Sequence, residues 1–286
     1  METKLSVVEL ELNPDSGVPL NIALVQGPEG AALIDTAKDY HFGQIVTFLR
    51  KQHVRKGDLR LILNTHYHGD HIGANLELVQ RYGCLVAASI PDAPAIESAD
   101  IALRLVSMPP APDDPPAPAA ASRPTSPVHV RFSAPFTVSL GGDALIEAIA
   151  LPGHTDGSCG FYERSTASLV LGDAVLMMDT PGFTGFHILQ NGAQYRQSLV
   201  DLRRFAGEHP IHLALTAHHP PMSRDQFLDL LDRSIAFSDS VAALAHQAQQ
   251  HGDLTYVAHA LCREMGKTYN PAARVVARAY TAPPAP

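Results

Sequence analysis

Six consecutive residues, His66-Tyr67-His68-Gly69-Asp70-His71, hold four side chains able to bind a metal ion. Neutral imidazoles and a carboxylate suit zinc or iron, and this is more donors than one closed site draws from a single turn. In an extended segment alternate side chains point the same way, so His66 and His68 can grip one ion. Past Gly69 the chain can turn and carry Asp70 and His71 toward a second. Three later positions share this character: His154 in Pro152-Gly153-His154-Thr155-Asp156, Asp173 in Leu171-Gly172-Asp173, and the pair His218-His219.

Each of these residues follows an apolar run. Residues 59–64 read as a strand ending at the first cluster, residues 145–151 as a strand ending before His154, and residues 168–171 as one ending before Asp173. Residues 211–216 form another, ahead of His218. Further strands are expected over residues 5–12, 20–26, 31–35, 84–89, 128–132, 136–140 and 160–163. Helical spacing marks residues 42–52, 72–82 and 196–207, and a helical stretch from residue 223 nearly to the end. Two strand-rich halves carrying helices make an α/β fold layered αββα, with a helical appendage, and the strand-end loops can converge on one edge. Residues 107–127 are proline-rich and cannot form regular structure; they read as a surface insertion, either a tolerated loop or a flap over the substrate.

The chain has 286 residues, 45% hydrophobic and 17% charged, with a formal net charge of -8. That is an ordinary globular composition. No dense Lys/Arg run appears, so nucleic acid is not an expected partner. Cys84, Cys159 and Cys262 are too scattered for a disulfide framework and read as buried thiols. The start, Met1-Glu2-Thr3-Lys4, lacks an export signal's basic and apolar regions, and no stretch approaches the roughly 18–20 apolar residues of a membrane span. The expectation is a cytoplasmic protein with no membrane partner. His41, His53, His129, His187, His209, His212, His246, His251 and His259 are scattered and read as surface or core histidines.

Taken in order, His66-x-His68-x-Asp70-His71, His154, Asp173 and His218 resemble the metallo-β-lactamase-fold hydrolase superfamily, in its glyoxalase II, thioesterase and lactonase-like branch. The resemblance implies a four-layer αββα metallo-β-lactamase sandwich over residues 1–222, followed by a C-terminal helical appendage over residues 223–286. It implies one metal site of His66, His68 and His154, a second of Asp70, His71 and His218, and Asp173 bridging them. The implied cofactor is two zinc ions per chain, with iron or manganese as alternatives. Two such cations about 3.5–4 Å apart hold a water and bring its pKa near neutrality. Asp70 is the implied catalytic residue, orienting the nucleophile and relaying its proton. His218 aligns better than His219 with the family's last ligand. Asp35 matches a position where relatives carry a carboxylate that supports the ligands; the other reading is a strand-end turn residue. Thr155 and Ser158 either bond near the site or stabilise their loop.

Departures from subfamily patterns narrow the substrate. Secreted β-lactamases of this fold generally lack the bridging aspartate. The familiar acyl-homoserine lactonases carry a tyrosine where Leu176 stands, and flavodiiron proteins a glutamate at the position of His68. The CPSF-type nucleases insert a large domain before their last histidines, and the short span from Asp173 to His218 disfavours that branch. What remains is a metal-held hydroxide cleaving a small ester-like acyl substrate, thioester first and lactone next. The alternative is a persulfide dioxygenase-like oxidoreductase with one iron on His66, His154 and Asp173; a nuclease or phosphodiesterase ranks behind it. A homodimer is left open. Arg263, Lys267, Arg274 and Arg278 either recognise an anionic substrate tail or form a solvated helix face. Met177, Met178, Phe183 and Phe186 either line an acyl pocket or pack in the core.

Overall fold

Alternation along the strands sends successive side chains to opposite faces, and here both faces are covered. The structure is a computed structural model and describes residues 2–108, 111, 114, 123–175, 189–249 and 253–281. The first sheet runs in chain order through β1 (Lys4–Glu11), β2 (Pro19–Gly27), β3 (Gly30–Ile34), β4 (Leu59–Leu63), β5 (Leu85–Ser89) and β6 (Val130–Phe132). Its first three strands are antiparallel and β3 to β6 are parallel. The second sheet holds β7 (Phe136–Ser139), β8 (Leu145–Ala150), β9 (Cys159–Glu163), β10 (Ser168–Val170) and β11 (Leu213–Leu215), ordered β11-β10-β9-β8-β7. Only the β10–β11 pair is parallel.

Between the sheets lie Ala23, Val25, Ala32, Ile34, Leu61 and Leu63 from one side and Ile146, Ala148, Phe161 and Val170 from the other. The alternate residues Ile22, Leu24, Leu33, Ile62 and Val86 face outward, onto Ile45, Phe48 and Leu49 of α1 (Phe42–Lys51) and onto Leu78 and Tyr82. Each fully buried Leu or Ile is worth about 1.5–3 kcal/mol over exposure. After α1 come α2 (Gly69–Ile72), α3 (Asn75–Tyr82), α4 (Ala93–Glu97), α5 (Ala99–Val106), α6 (Gly192–Glu208) and α7 (Arg224–Gln249). Tyr162, Leu169 and Leu171 turn outward from the second sheet to meet Tyr195, Leu199 and Leu202 of α6 and Phe227, Leu230 and Leu231 of α7. The expected αββα order is therefore present. Farther along α7, Val241 and Ala245 pack with α8 (Leu254–Glu264) and α9 (Ala272–Thr281) in a separate helical core.

Two differences from the sequence reading bear on the site. Residues 72–82 are spaced as one helix; the chain instead makes the turn α2, breaks at Gly73 and restarts as α3. The break falls where another segment crosses, and Gly73 N donates there to Ala37 O at 2.8 Å. Residues 37–39 cross at this point, and a Cβ on Gly73 would come within 2.4 Å of the Asp39 backbone nitrogen. As a result Asp70 and His71 sit in a helical turn rather than a loop. The helices α4 and α5 also fill a stretch that carries no clear sequence pattern. Cys84, Cys159 and Cys262 are buried and free, as read. Among the described residues no helix is long and apolar enough to cross a membrane.

The C-terminal ends of β3, β4 and β5 share an edge with those of β8, β10 and β11, because these strands run in matching directions within each sheet. Hydrogen bonds tie the two edges together, Cys159 N donating to Thr65 O at 2.9 Å and Asn21 N to Ala217 O at 2.8 Å, while within the second sheet Ala217 N donates to Gly172 O at 2.9 Å. The chemistry-bearing loops all leave from this edge.

Candidate metal centre

His66 and His68 extend from the end of β4, His154 follows β8, Asp173 follows β10, and His218 follows β11. The structure brings all of them together with Asp70 and His71. They form two groups, His66, His68, His154 and Asp173 in one and Asp70, His71 and His218 in the other. In the first, His154 Nε2 lies 3.2 Å from His66 Nε2 and 2.9 Å from His68 Nδ1. In the second, His218 Nε2 lies 3.5 Å from Asp70 Oδ2 and His71 Nε2 3.9 Å from the same oxygen. Asp173 stands between them: Oδ2 is 3.5 Å from His154 Nε2, whereas Oδ1 is 3.4 Å from His71 Nε2 and 3.3 Å from His218 Nε2.

These donors fit metal ions on the structure's own terms. Three imidazole nitrogens face one another in the first group, and one proton cannot satisfy all three. In the second group the buried atoms His71 Nε2, His218 Nε2 and Asp173 Oδ1 make no hydrogen bond of good geometry among the described residues, despite their closeness. Buried polar atoms left so near to one another and unsatisfied are what a divalent cation between them would resolve.

The supporting contacts fix which ring nitrogen faces inward. Asp35 Oδ2 lies 2.8 Å from His71 Nδ1, and the same carboxylate accepts from Thr65 N at 2.8 Å and Thr65 Oγ1 at 2.7 Å. Asp35 thus supports a ligand candidate, the first of its two sequence readings. Its backbone has φ +62°, a left-handed conformation that aspartate tolerates better than most residues. His218 Nδ1 lies 3.0 Å from Pro19 O, leaving Nε2 to face the carboxylates. His219 turns instead to Thr216 Oγ1 at 3.0 Å, so His218 is the member of the pair that joins the cluster. Gly172, at φ +52°, holds Asp173 in place; a Cβ there would stand 2.4 Å from Thr65 Oγ1.

The two groups differ in protonation. Burial, with the neighbouring rings, pushes His66 well below the ordinary histidine value, and burial lowers His68 to about 4. Both are neutral near pH 7. At His71 and His218 burial acts in the same sense but is outweighed, by Asp173, Asp35 and Asp70 at His71 and by Asp173 and Asp70 at His218. His71 therefore lies well above the ordinary value and His218 rises to about 10. Burial opposes ionisation of Asp70 and Asp173, yet the His71 and His218 charges hold both below the carboxylate range.

Sequence reasoning missed Asp92. It is buried and accepts from Tyr67 N at 3.1 Å, Thr155 Oγ1 at 2.7 Å and Gly157 N at 2.9 Å, joining the loop of His66 and His68 to that of His154. Burial pushes its carboxyl up to about 7 against the pull of those three donors. Asp92 stands just past the end of β5, as Asp35 stands past β3, and that shared pattern is the signal that could have found it. Thr155 and Ser158 serve the loop: Thr155 N donates to Ser158 Oγ at 3.0 Å. Met177, Met178, Phe183 and Phe186 lie outside the described residues.

Comparison with known proteins agrees with this geometry. The sequence profile of the metallo-beta-lactamase superfamily matches residues 16–246. The chain belongs to the metallo-beta-lactamase superfamily. It therefore sits among metallo-hydrolases, and its buried His/Asp cluster is chemistry suited to a divalent metal. A hydroxyacylglutathione hydrolase of Methylococcus capsulatus is 29% identical over 117 residues, 41% of this chain and 34% of that protein. One of Acidiphilium cryptum is 28% identical over 194 residues, 68% of this chain and 63% of that protein. The chain thus spans less than two thirds of the length of these curated relatives. In fold it is similar to a solved metallo-beta-lactamase family protein of Thermus thermophilus, with a TM-score of 0.68 at 20% identity, covering 96% of this chain and 91% of that one.

Proposed function

We propose that this superfamily member hydrolyses a small acyl thioester at a dinuclear metal centre, with lactones as the next substrate class. The observation that carries this reading is the position of Asp173, whose two oxygens face two different sets of ligands, 3.5 Å from His154 on one side and 3.3 Å from His218 on the other. A carboxylate so placed suits a bridge between two ions, whereas a single-iron centre has no use for the second set. The thioester preference draws on the relatives named as hydroxyacylglutathione hydrolases.

His66, His68 and His154 would hold one ion and Asp70, His71 and His218 the other, with Asp173 shared. A pair of divalent cations, when bound, polarises the acyl carbonyl and brings a water toward its hydroxide form at neutral pH. Asp35 and the Pro19 carbonyl orient the rings of His71 and His218 so that Nε2 is presented in each. Asp70, the most exposed carboxylate of the cluster at 21%, lies at the mouth and stays ionised. There it accepts the hydrogen bond that orients the attacking water. The water oxygen joins the acyl carbon, the C–S bond breaks, and the thiol leaves with the proton.

Metal analysis of protein purified without added metal, paired with a hydrolysis panel of acyl thioesters, lactones, phosphodiesters and β-lactams, tests this reading. Two divalent ions per chain and thioester cleavage that Asp70→Ala abolishes are the expected results. One iron per chain with oxygen consumption on a persulfide overturns it, as does activity that survives in Asp70→Ala.

A further inference from the structure

The limb that returns from the proline-rich insertion passes directly over the motif loop. Pro124 Cδ stands 3.4 Å from where a Cβ on Gly69 would be. Two residues on, Ser126 N donates to Ile96 O at 3.1 Å, and Ser126 Oγ accepts from Asn75 Nδ2 at 3.1 Å. Asn75 also accepts from Thr36 Oγ1 at 2.8 Å, and that hydroxyl reaches the His71 carbonyl at 3.2 Å. This limb is therefore fastened to the scaffold of the metal cluster itself. Arg123 sits at its start.

Arg123 is half-buried and makes no ion pair or hydrogen bond among the described residues. Its charge is nevertheless felt at the His68 ring and the Tyr67 hydroxyl. His68 and Asp70 are the members of the cluster that keep some exposure, and Arg123 directly precedes Pro124, which stands over Gly69 between them, so Arg123 flanks the mouth. Two of the four cations that the sequence offers for an anionic tail, Arg274 and Arg278, are engaged elsewhere. Arg274 Nη1 donates to Asp114 Oδ2 at 2.7 Å, and Arg278 donates to the carbonyls of Ser107 and Leu105 at 3.2 and 3.3 Å. A half-buried guanidinium with no carboxylate partner among the described residues has given up part of its hydration with no charge there to offset it. Its planar fork matches a carboxylate that arrives with a ligand.

We propose that Arg123 is a specificity-determining residue that binds a carboxylate carried by the substrate, which makes the favoured substrates anionic thioesters. This proposal rests on the thioester reading above, but the contact it describes is a binding contact and can be measured without turnover.

The test uses the protein as purified with its metal. Two thioethers that cannot be hydrolysed, propylthio-propanoate and ethylthio-butanoate, place the carboxylate on the thiol side and the acyl side of the mimicked bond. Each is titrated calorimetrically against its neutral N-methylamide, into wild type, Arg123→Ala and Arg123→Lys. Wild type is expected to prefer one carboxylate over its amide by about tenfold or more, with the preference lost in Arg123→Ala and partly kept in Arg123→Lys. The same pair as thioesters should show a KM rise of about tenfold in Arg123→Ala with kcat within about twofold. An anion preference that survives Arg123→Ala belongs to the metals and overturns the proposal, as does no preference in wild type. If the carboxylate preference depends on Arg123 but no thioester is cleaved, the thioester reading fails while the anion site stands.

Discussion

Asp35 Oδ2 and His71 Nδ1 lie 2.8 Å apart in the buried floor of the metal cluster, and this one contact settles which nitrogen of His71 faces the second group of ligands. Carboxylates that hold a ligating imidazole typically tune metal affinity by about 10–100-fold. Asp35→Asn keeps a side chain that tolerates φ +62° but removes the charge and replaces one of the two accepting oxygens with a donor. Chelator competition should show the second metal bound about 10–100-fold more weakly in this variant, with the first little changed. Equal weakening of both would mean that Asp35 acts on the whole edge rather than on His71.

The two groups should also differ in how their metals load. With His66 and His68 neutral, the first ion takes up its ligands near pH 7 without displacing their protons. With His71 well above the ordinary range and His218 at about 10, the second ion must displace protons. Calorimetric titration in buffers of differing ionisation enthalpy should therefore report proton release mainly in the second binding step.

The sign of the pH dependence of stability follows from the same groups. His218 has a folded-state pKa of about 10, above its unfolded value, so the stability it contributes is complete below about pH 6.5 and lost as the pH rises toward 10. Metal-free protein should lose thermal stability over that window. Metal-loaded protein should lose much less, because the ions take the place of the protons. A metal-free melting temperature that stays flat from about pH 7 to about pH 10 would contradict this account.

Asp92 offers a test of how far two ligand loops depend on one buried acceptor. Asp92→Ala strands the Tyr67 and Gly157 amides and leaves the Thr155 hydroxyl only Ser158 Oγ, at 2.7 Å; a buried donor without a partner costs about 1–3 kcal/mol. A loss of about 3 kcal/mol or more is expected in denaturant unfolding, against about 1 kcal/mol for Asp92→Asn, which keeps an acceptor. A fall in bound metal should accompany the larger loss.

At Gly172 both backbone and space are constrained. An alanine there meets φ +52° and places its Cβ 2.8 Å from Thr65 Cβ. Gly172→Ala should cost about 2 kcal/mol or more and shift the adjacent Asp173, read as weakened metal retention on dialysis.

Much of this was legible in the residues because the signals are local. The ligand types, their place just after apolar runs and the two-face alternation of those runs are properties of short segments, and the sheets reproduce them. The break at Gly73 was not legible, since it falls where residues 37–39 cross from elsewhere in the chain. Asp92 lay hidden because its partners, Tyr67, Thr155 and Gly157, are distant in sequence. Arg123 sits beside a low-complexity stretch, where composition carries no positional information.

By itself, then, the sequence determined which atoms are available for chemistry and the kind of scaffold that holds them. Only the tertiary structure decided how they are shared: that Asp173 turns one oxygen to His154 and the other to His71 and His218, that His218 rather than His219 faces the cluster, and that a guanidinium unpaired among the described residues stands at its mouth. The physical reason is reach. Side-chain type and periodicity act over a few residues, whereas the direction of a ring nitrogen or a carboxylate oxygen is set by hydrogen bonds to strands that meet only when the two sheets close.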